Sequence, residues 1–144
     1  SQHIKLILDT IKPRLAKLDI SLIKEIKDGV MIYSDKDKIS QIIQNLISNA
    51  IKAIKEDGLI RVSLYEDKNN IYIDIKDNGV GISDEKKEVI FERFYRIDDA
   101  RNTKTNGHGL GLSITKNFVE SLGGKIKLKS KLGKGSTFSV IFPK

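Results

Sequence analysis

Apolar residues recur in this chain with two periods, and the order in which the periods follow one another leaves few architectures open. Leu59–Tyr65 alternates, with Ile60, Val62 and Leu64 on one face, and Ile71–Lys76 repeats the pattern with Ile71, Ile73 and Ile75. A polar turn, Glu66–Asn70, joins them, so the pair reads as two half-buried strands of a hairpin. Lys125–Ser130 and Ser136–Phe142 read as a second hairpin, in which Ile126 and Leu128 face Phe138 and Val140 or their neighbours. Ser21–Ile26 and Val30–Tyr33 are expected as two short strands around the Asp28-Gly29 turn signal. Between these pairs the period changes to that of a helix. Ile4, Leu8, Ile11, Leu15 and Leu18 predict a helix over 3–18, with Pro13 as a point of kinking or of a later start. Ile39, Ile42, Ile43, Leu46, Ile47, Ala50, Ile51 and Ile54 draw a buried stripe along a helix over 36–55, with Asp35 as N-cap and Asp57-Gly58 as its end. A third helix, Leu110–Leu122, is closed by Gly123-Gly124. Strands that arrive in hairpins rather than singly predict an α/β sandwich of the α+β class: a mixed, largely antiparallel sheet covered by helices on one face.

The chain has 144 residues, the length of one domain with a sizeable core. It has no cysteine, which excludes disulfides, thiolate metal sites and a thiol nucleophile. Two histidines, His3 and His108, are too few for a histidine-rich metal cluster. No apolar run approaches the roughly 18 residues of a membrane span. Lys5 and Asp9 interrupt the first apolar residues, so no signal peptide is expected there. The net charge of +7 admits nucleic acid, an anionic membrane or a phosphate-bearing ligand. Only five of the 26 basic residues are arginine and no basic block forms, so the expectation is a lysine-rich solvated surface and no nucleic-acid partner.

Residues 77–111 break both periods and hold five of the eleven glycines. A loop of this length inside a compact domain is usually functional, so the site is sought there. Asp84–Ile90 fits one or two helical turns within it. Asp77-Asn78-Gly79-Val80-Gly81 leaves a strand with a carboxylate, an acceptor suited to an exocyclic amine, and two glycines that let a flat ligand approach the backbone. An ordinary turn explains the same five residues. Gly107-His108-Gly109-Leu110-Gly111-Leu112 leads into a helix, so its backbone N–H groups would form an anion cradle. A hinge explains those residues equally, and the spacing is neither a dinucleotide fingerprint nor a Walker A loop. On the helix over 36–55, Asn45, Asn49 and Lys52 share a side: an Asn carbonyl suits Mg²⁺ and a lysine one turn on suits phosphate. A solvated helix face is the plainer explanation, although two mid-helix asparagines call for a reason. Phe91-Glu92-Arg93-Phe94-Tyr95-Arg96 combines core aromatics with arginines, of which Arg96 suits a phosphate.

In this order and spacing the stretches resemble the catalytic, ATP-binding domain of bacterial sensor histidine kinases. That domain belongs to the wider ATPase family shared with gyrase, a heat-shock chaperone and mismatch-repair proteins. Asn45–Lys52 looks like the family's N box, Asp77–Gly81 like its first glycine box and Phe91–Phe94 like its F box. Gly107–Leu112 looks like its second glycine box, and Gly135-Ser136-Thr137-Phe138 like its closing strand motif. The resemblance covers about 4–143 and implies one catalytic ATP-binding domain over 1–144, with a long lid. It implies Mg²⁺ on Asn49, support of the metal–phosphate cluster by Asn45 and a phosphate contact from Lys52. Asp77 would accept from the adenine amino group, Gly79 and Gly81 would shape the pocket, Thr137 would help on the adenine side through water, and Ile82 and Ile114 would line the apolar wall. Residues 97–108 would be the lid. The backbone around Gly107, Gly109, Leu110, Gly111 and Leu112 would hold the phosphates, with Arg96 and Lys104 adding charge near the γ-phosphate.

Hydrolytic relatives carry a glutamate one turn before the metal-binding Asn, as general base for water. Here that place holds Asn45, and an amide does not accept a proton at neutral pH. The resemblance therefore implies phosphoryl transfer to a histidine, with ATP and Mg²⁺ as cofactors. The resemblance leads to the expectation that the dimerisation domain that carries the acceptor is missing from these 144 residues, since His3 lacks the acceptor's sequence context. Ala53 stands where many members carry an aromatic, and His108 replaces a small hydroxyl residue and is read as facing solvent. A gyrase- or chaperone-type ATPase and a non-catalytic nucleotide sensor or docking module are the competing functions. The expected partners are the chain's own dimerisation domain and a response regulator, with no direct membrane contact and a monomeric isolated domain. The expected location is cytoplasmic, on a parent that is an inner- or plasma-membrane sensor.

Overall fold

The computed structural model describes residues 1–32, 35–87, 89–91 and 111–144. In chain order the elements are α1 (Gln2–Lys17), β1 (Ser21–Ile26), α2 (Lys36–Ala53), β2 (Leu59–Glu66), β3 (Asn70–Asp77), α3 (Asp84–Lys87), α4 (Gly111–Ser121), β4 (Lys125–Lys131) and β5 (Gly135–Pro143). The strands form one sheet in the order β1-β2-β3-β5-β4. β1 pairs with β2 in parallel, and the other three pairings are antiparallel. The sheet is mixed and mostly antiparallel, with the helices packed on one face, as the hairpin pattern predicts.

The period-two residues explain which face is covered. Ile60, Val62, Leu64, Ile71, Ile73, Ile75, Phe138, Val140 and Phe142 are all buried under the helices. The helical stripes meet them: Ile4, Leu8, Ile11 and Leu15 from α1, and Ile39, Ile42, Ile43, Leu46, Ile47 and Ala50 from α2. Each such side chain removed from water contributes roughly 1.5–3 kcal/mol before chain entropy is charged against it. The expected partners across the last hairpin are the observed ones, Ile126 opposite Val140 and Leu128 opposite Phe138. The other face of the sheet is mostly polar, with the rings of Tyr65 and Tyr72 stacked on it. Edge strand β4 points Lys125, Lys127, Lys129 and Lys131 outward, a charged row that discourages pairing with a further strand.

Asp35 caps α2 as expected, its side chain accepting from the backbone N–H groups of Asp37 and Lys38. Helix α1 runs through Pro13 without ending. Two expectations are corrected. The described part of Val30–Tyr33, residues 30–32, does not enter the sheet, and β1 finds a parallel partner in β2 instead of a hairpin partner. The apolar signal there has another origin: Val30 is an anchor, 1% exposed, that plugs the core beneath the Asp28-Gly29 turn. Helix α2 stops at Ala53, short of 55, and Ile54 is already extended. The Ala53 carbonyl accepts from the Val80 N–H at 2.9 Å, so the loop after β3 replaces the next turn of helix.

Candidate functional site

Asp77 ends β3 and stands opposite Ser136, the second residue of β5, in the antiparallel register. Residues opposite each other share a face, and this one is the helix-covered face: Asp77 is 2% and Ser136 5% exposed. Burial pushes the Asp77 carboxyl above the ordinary carboxylate range, and the backbone N–H groups of Gly79 and Ser136 pull it partly back. The Gly79 N–H donates to the Asp77 carboxylate at 2.8 Å. A buried carboxylate with only backbone donors is a strong acceptor for a ligand N–H group.

The loop after Asp77 fits because it has no side chains at two points. A Cβ on Gly79 would lie 2.5 Å from the Ala53 carbonyl oxygen. Gly81 has φ +77°, and a Cβ there would lie 2.2 Å from the Lys131 carbonyl oxygen. The loop is thus pressed between the C-terminus of α2 and the β4–β5 turn, where the Gly133 N–H donates to the Val80 carbonyl at 2.7 Å. Asn78 fastens it on the other side, accepting from the Leu59 N–H at 2.8 Å and donating to the Asp57 carbonyl at 2.9 Å. Ile82 is buried behind it, and its N–H donates to the Ser130 hydroxyl at 2.7 Å. The Ser130 hydroxyl also donates to the Gly135 carbonyl at 3.0 Å and lies 2.7 Å from the Ser136 hydroxyl.

On α2, Asn45 is tied at both ends of its amide. Its Oδ1 accepts from Gln41 Nε2 at 2.9 Å, and its Nδ2 donates to Thr115 Oγ1 on α4 at 3.2 Å. Asn49, one turn later, is partly buried, and no hydrogen bond joins its side chain to another described residue. Lys52 is exposed in the last turn, next to the Ala53 carbonyl that holds the glycine loop. The described structure therefore brings Asp77, Gly79, Gly81 and Ile82 together against the end of the helix that carries Asn45, Asn49 and Lys52. Gly111 opens α4, where Leu112 is buried and Ile114 partly buried. The Phe91 ring meets Phe138 edge-on at 6.1 Å and lies under Lys116. Arg96, Lys104, Gly107, His108, Gly109, Leu110 and the lid over 97–108 lie outside the described residues.

Thr137 is placed differently from the expectation. It pairs with Lys76 and so projects from the opposite face of β5 to Asp77. Ser136 occupies the place expected of it. The strand alternation held the signal: with Phe138 and Val140 facing the core, position 136 shares their side and 137 does not. Ser130, Asn78 and Thr115 were also missed, since each acts through a long-range hydrogen bond that spacing does not reveal.

The residues present fit a nucleotide and a magnesium ion. A Cβ-free cradle lies beside a buried acceptor, and a carboxamide oxygen is available on Asn49. Among the described residues no group of three His, Cys, Asp or Glu side chains could hold a metal by itself, so an ion here would depend on the ligand's phosphates. A groove of about 380 Å³ opens at the other end of the sheet, beside Ile71, Leu122 and Phe142. Ile71 stands near the start of β3 and Asp77 at its end, so this groove is separate from the site.

Residues 34–144 match the family model described as histidine kinase-, DNA gyrase B-, and HSP90-like ATPase. The chain is 40% identical over 127 residues to sensor histidine kinase WalK of Bacillus subtilis, covering 86% of this chain and 21% of WalK. It is 42% identical over 118 residues to sensor protein SrrB of Staphylococcus aureus, covering 82% of this chain and 20% of SrrB. The chain thus spans about a fifth of the length of these curated relatives. The nucleotide-free catalytic domain of histidine kinase ThkA matches with a TM-score of 0.85 at 28% identity, over 99% of this chain and 92% of that one. A structure of ThkA in complex with response regulator protein TrrA matches with a TM-score of 0.80 at 26% identity, over 99% of this chain and 40% of that one. The chain belongs to the histidine kinase-, DNA gyrase B-, and HSP90-like ATPase family, as a catalytic module of the sensor histidine kinase type.

Proposed function

We propose that this chain binds ATP with Mg²⁺ and donates the γ-phosphoryl group to a histidine on a separate dimerisation domain of its parent protein. The observation that carries the reading is the buried Asp77 carboxylate beside a cradle of Gly79 and Gly81, pressed on the end of the asparagine-bearing helix. Asp77 takes the adenine amino group and Ile82 backs the base. Asn49 offers its amide oxygen to the ion, Lys52 meets phosphate oxygens, and Arg96 and Lys104 add charge at the γ-phosphate. The backbone around Gly107, Gly109, Leu110, Gly111 and Leu112 holds the phosphate chain at the start of α4. Magnesium, when bound, spreads the phosphate charge.

In the transfer, the bond from the γ-phosphorus to its bridging oxygen breaks, and the oxygen leaves with the electron pair as ADP. An imidazole nitrogen supplies the lone pair for the new bond, and the second ring nitrogen gives up its proton to solvent. The chain's part is positioning and charge stabilisation. Asn45 supports transfer over hydrolysis: its amide has no basic site at neutral pH and is already engaged by Gln41 and Thr115.

Residues 1–144 act as one module in this reading, and a response regulator receives the phosphoryl group next, as the complex of ThkA with TrrA suggests by analogy. No helix among the described residues is long and apolar enough to cross a membrane. The module is proposed to work in the cytoplasm on a membrane-anchored parent. Mixing the chain with a separately made dimerisation domain and γ-labelled ATP is the test. An acid-labile, base-stable label on the acceptor histidine is expected, and a dimerisation domain that stays unlabelled while ATP is bound would refute the transfer.

A further inference from the structure

Ser130 belongs to none of the motifs that the sequence offers, yet its hydroxyl is a three-way junction. It accepts from the Ile82 N–H at 2.7 Å, donates to the Gly135 carbonyl at 3.0 Å and sits 2.7 Å from the Ser136 hydroxyl. A serine hydroxyl has one proton and two lone pairs. The Ile82 amide only donates and the Gly135 carbonyl only accepts, so the first takes one lone pair and the second takes the proton. Satisfying all three contacts at once leaves a lone pair for Ser136, which makes Ser136 the donor in the serine pair. Its own oxygen then has lone pairs alone to present elsewhere. Ser136 stands opposite Asp77 on the same covered face, and both are buried. That wall accordingly presents two acceptors and no hydroxyl donor.

We propose that Ser130 is a positioning residue that sets base selectivity: by holding the Ser136 proton, it keeps the wall beside Asp77 purely accepting. A purine with a 6-amino group suits such a wall. A 6-oxo purine brings a carbonyl against lone pairs, and that clash is relieved when Ser136 turns its proton outward or loses its oxygen. This inference rests on the nucleotide reading above and concerns its selectivity.

The test uses the whole chain and measures displacement of a fluorescent nucleotide by ATP and by inosine triphosphate, which replaces the 6-amino group with a 6-oxo group, both with Mg²⁺. The wild-type chain should prefer ATP. Ser130→Ala should narrow the preference by roughly fivefold or more, the scale of one hydrogen bond. Ser130→Thr, which restores the hydroxyl, should recover it. Ser136→Ala leaves the Ser130 bonds to Ile82 and Gly135 in place and should also narrow the preference, which keeps the proposal testable if Ser130→Ala does not fold. A merely structural Ser130 would weaken both nucleotides by the same factor. An unchanged preference in folded Ser130→Ala or in Ser136→Ala overturns the proposal while leaving ATP binding intact. A wild-type chain that binds no ATP overturns this proposal and the nucleotide reading together.

Discussion

Asp77 is costly to the folded chain and, in the proposed site, useful to the ligand, and the two effects separate under mutation. Asp77→Asn keeps an oxygen for the Gly79 N–H but adds an amide donor and removes the charge. ATP binding by calorimetry should be lost, while thermal unfolding shows a domain at least as stable as wild type; retained affinity would displace Asp77 from the site. The pH dependence follows from the upward displacement of its carboxyl by burial. Above the raised value the group is charged, accepts from the base and suffers its desolvation. As pH falls through that value toward the ordinary 3.8, the folded state takes up a proton first, so affinity drops while the burial penalty on stability is relieved. Titrating the ATP affinity of the wild-type chain against pH should give a midpoint above 3.8. Asn45 gives the complementary test at the phosphate end. Asn45→Glu supplies a base where an amide stood, and phosphate release from ATP should rise; an unaltered rate removes the general-base explanation.

At the scale of elements, α2 both fills the core and carries the site. Leu46, fully buried one residue after Asn45, holds that side of the helix against the sheet. Leu46→Ala should cost about 2–5 kcal/mol in chemical denaturation, and a loss well under 1 kcal/mol would mean that the helix is held by something other than its apolar face. The elements themselves were legible where periodicity persists: every helix end fell within two residues of expectation for α1, α2 and α4, and both antiparallel hairpins form with their apolar residues on one face. Val30 shows where such reading stops. A short apolar run has the same appearance whether it joins a ladder or plugs a core. The candidate site was legible as motifs on the acidic and amide side, because Asp77, Asn45 and Asn49 lie in compact stretches. At 136–137 one step along a strand exchanges the two faces, and the motif alone does not say which of the two shares the side of Asp77.

For the whole molecule, the decisive arrangement is the proposed nucleotide cradle, assembled from three distant parts of the chain: the end of β3, the end of α2 and the β4–β5 turn. None of them makes the cradle alone, so the candidate site is a property of the assembled sheet and helix. The parallel strand β1 stands apart from those three parts. Its ladder to β2 spans the interval that contains α2, whereas β2–β3 and β4–β5 are joined by short turns. Long loops are costly to close, so contacts across them are rewarded late. Amide hydrogen exchange should therefore find Ser21–Ile26 surrendering its protons sooner than Asn70–Asp77, which has a ladder on either side. A signal that tugged on the amino-terminal helix would reach this outermost ribbon first, and it could come unzipped while the catalytic end of the molecule kept its shape.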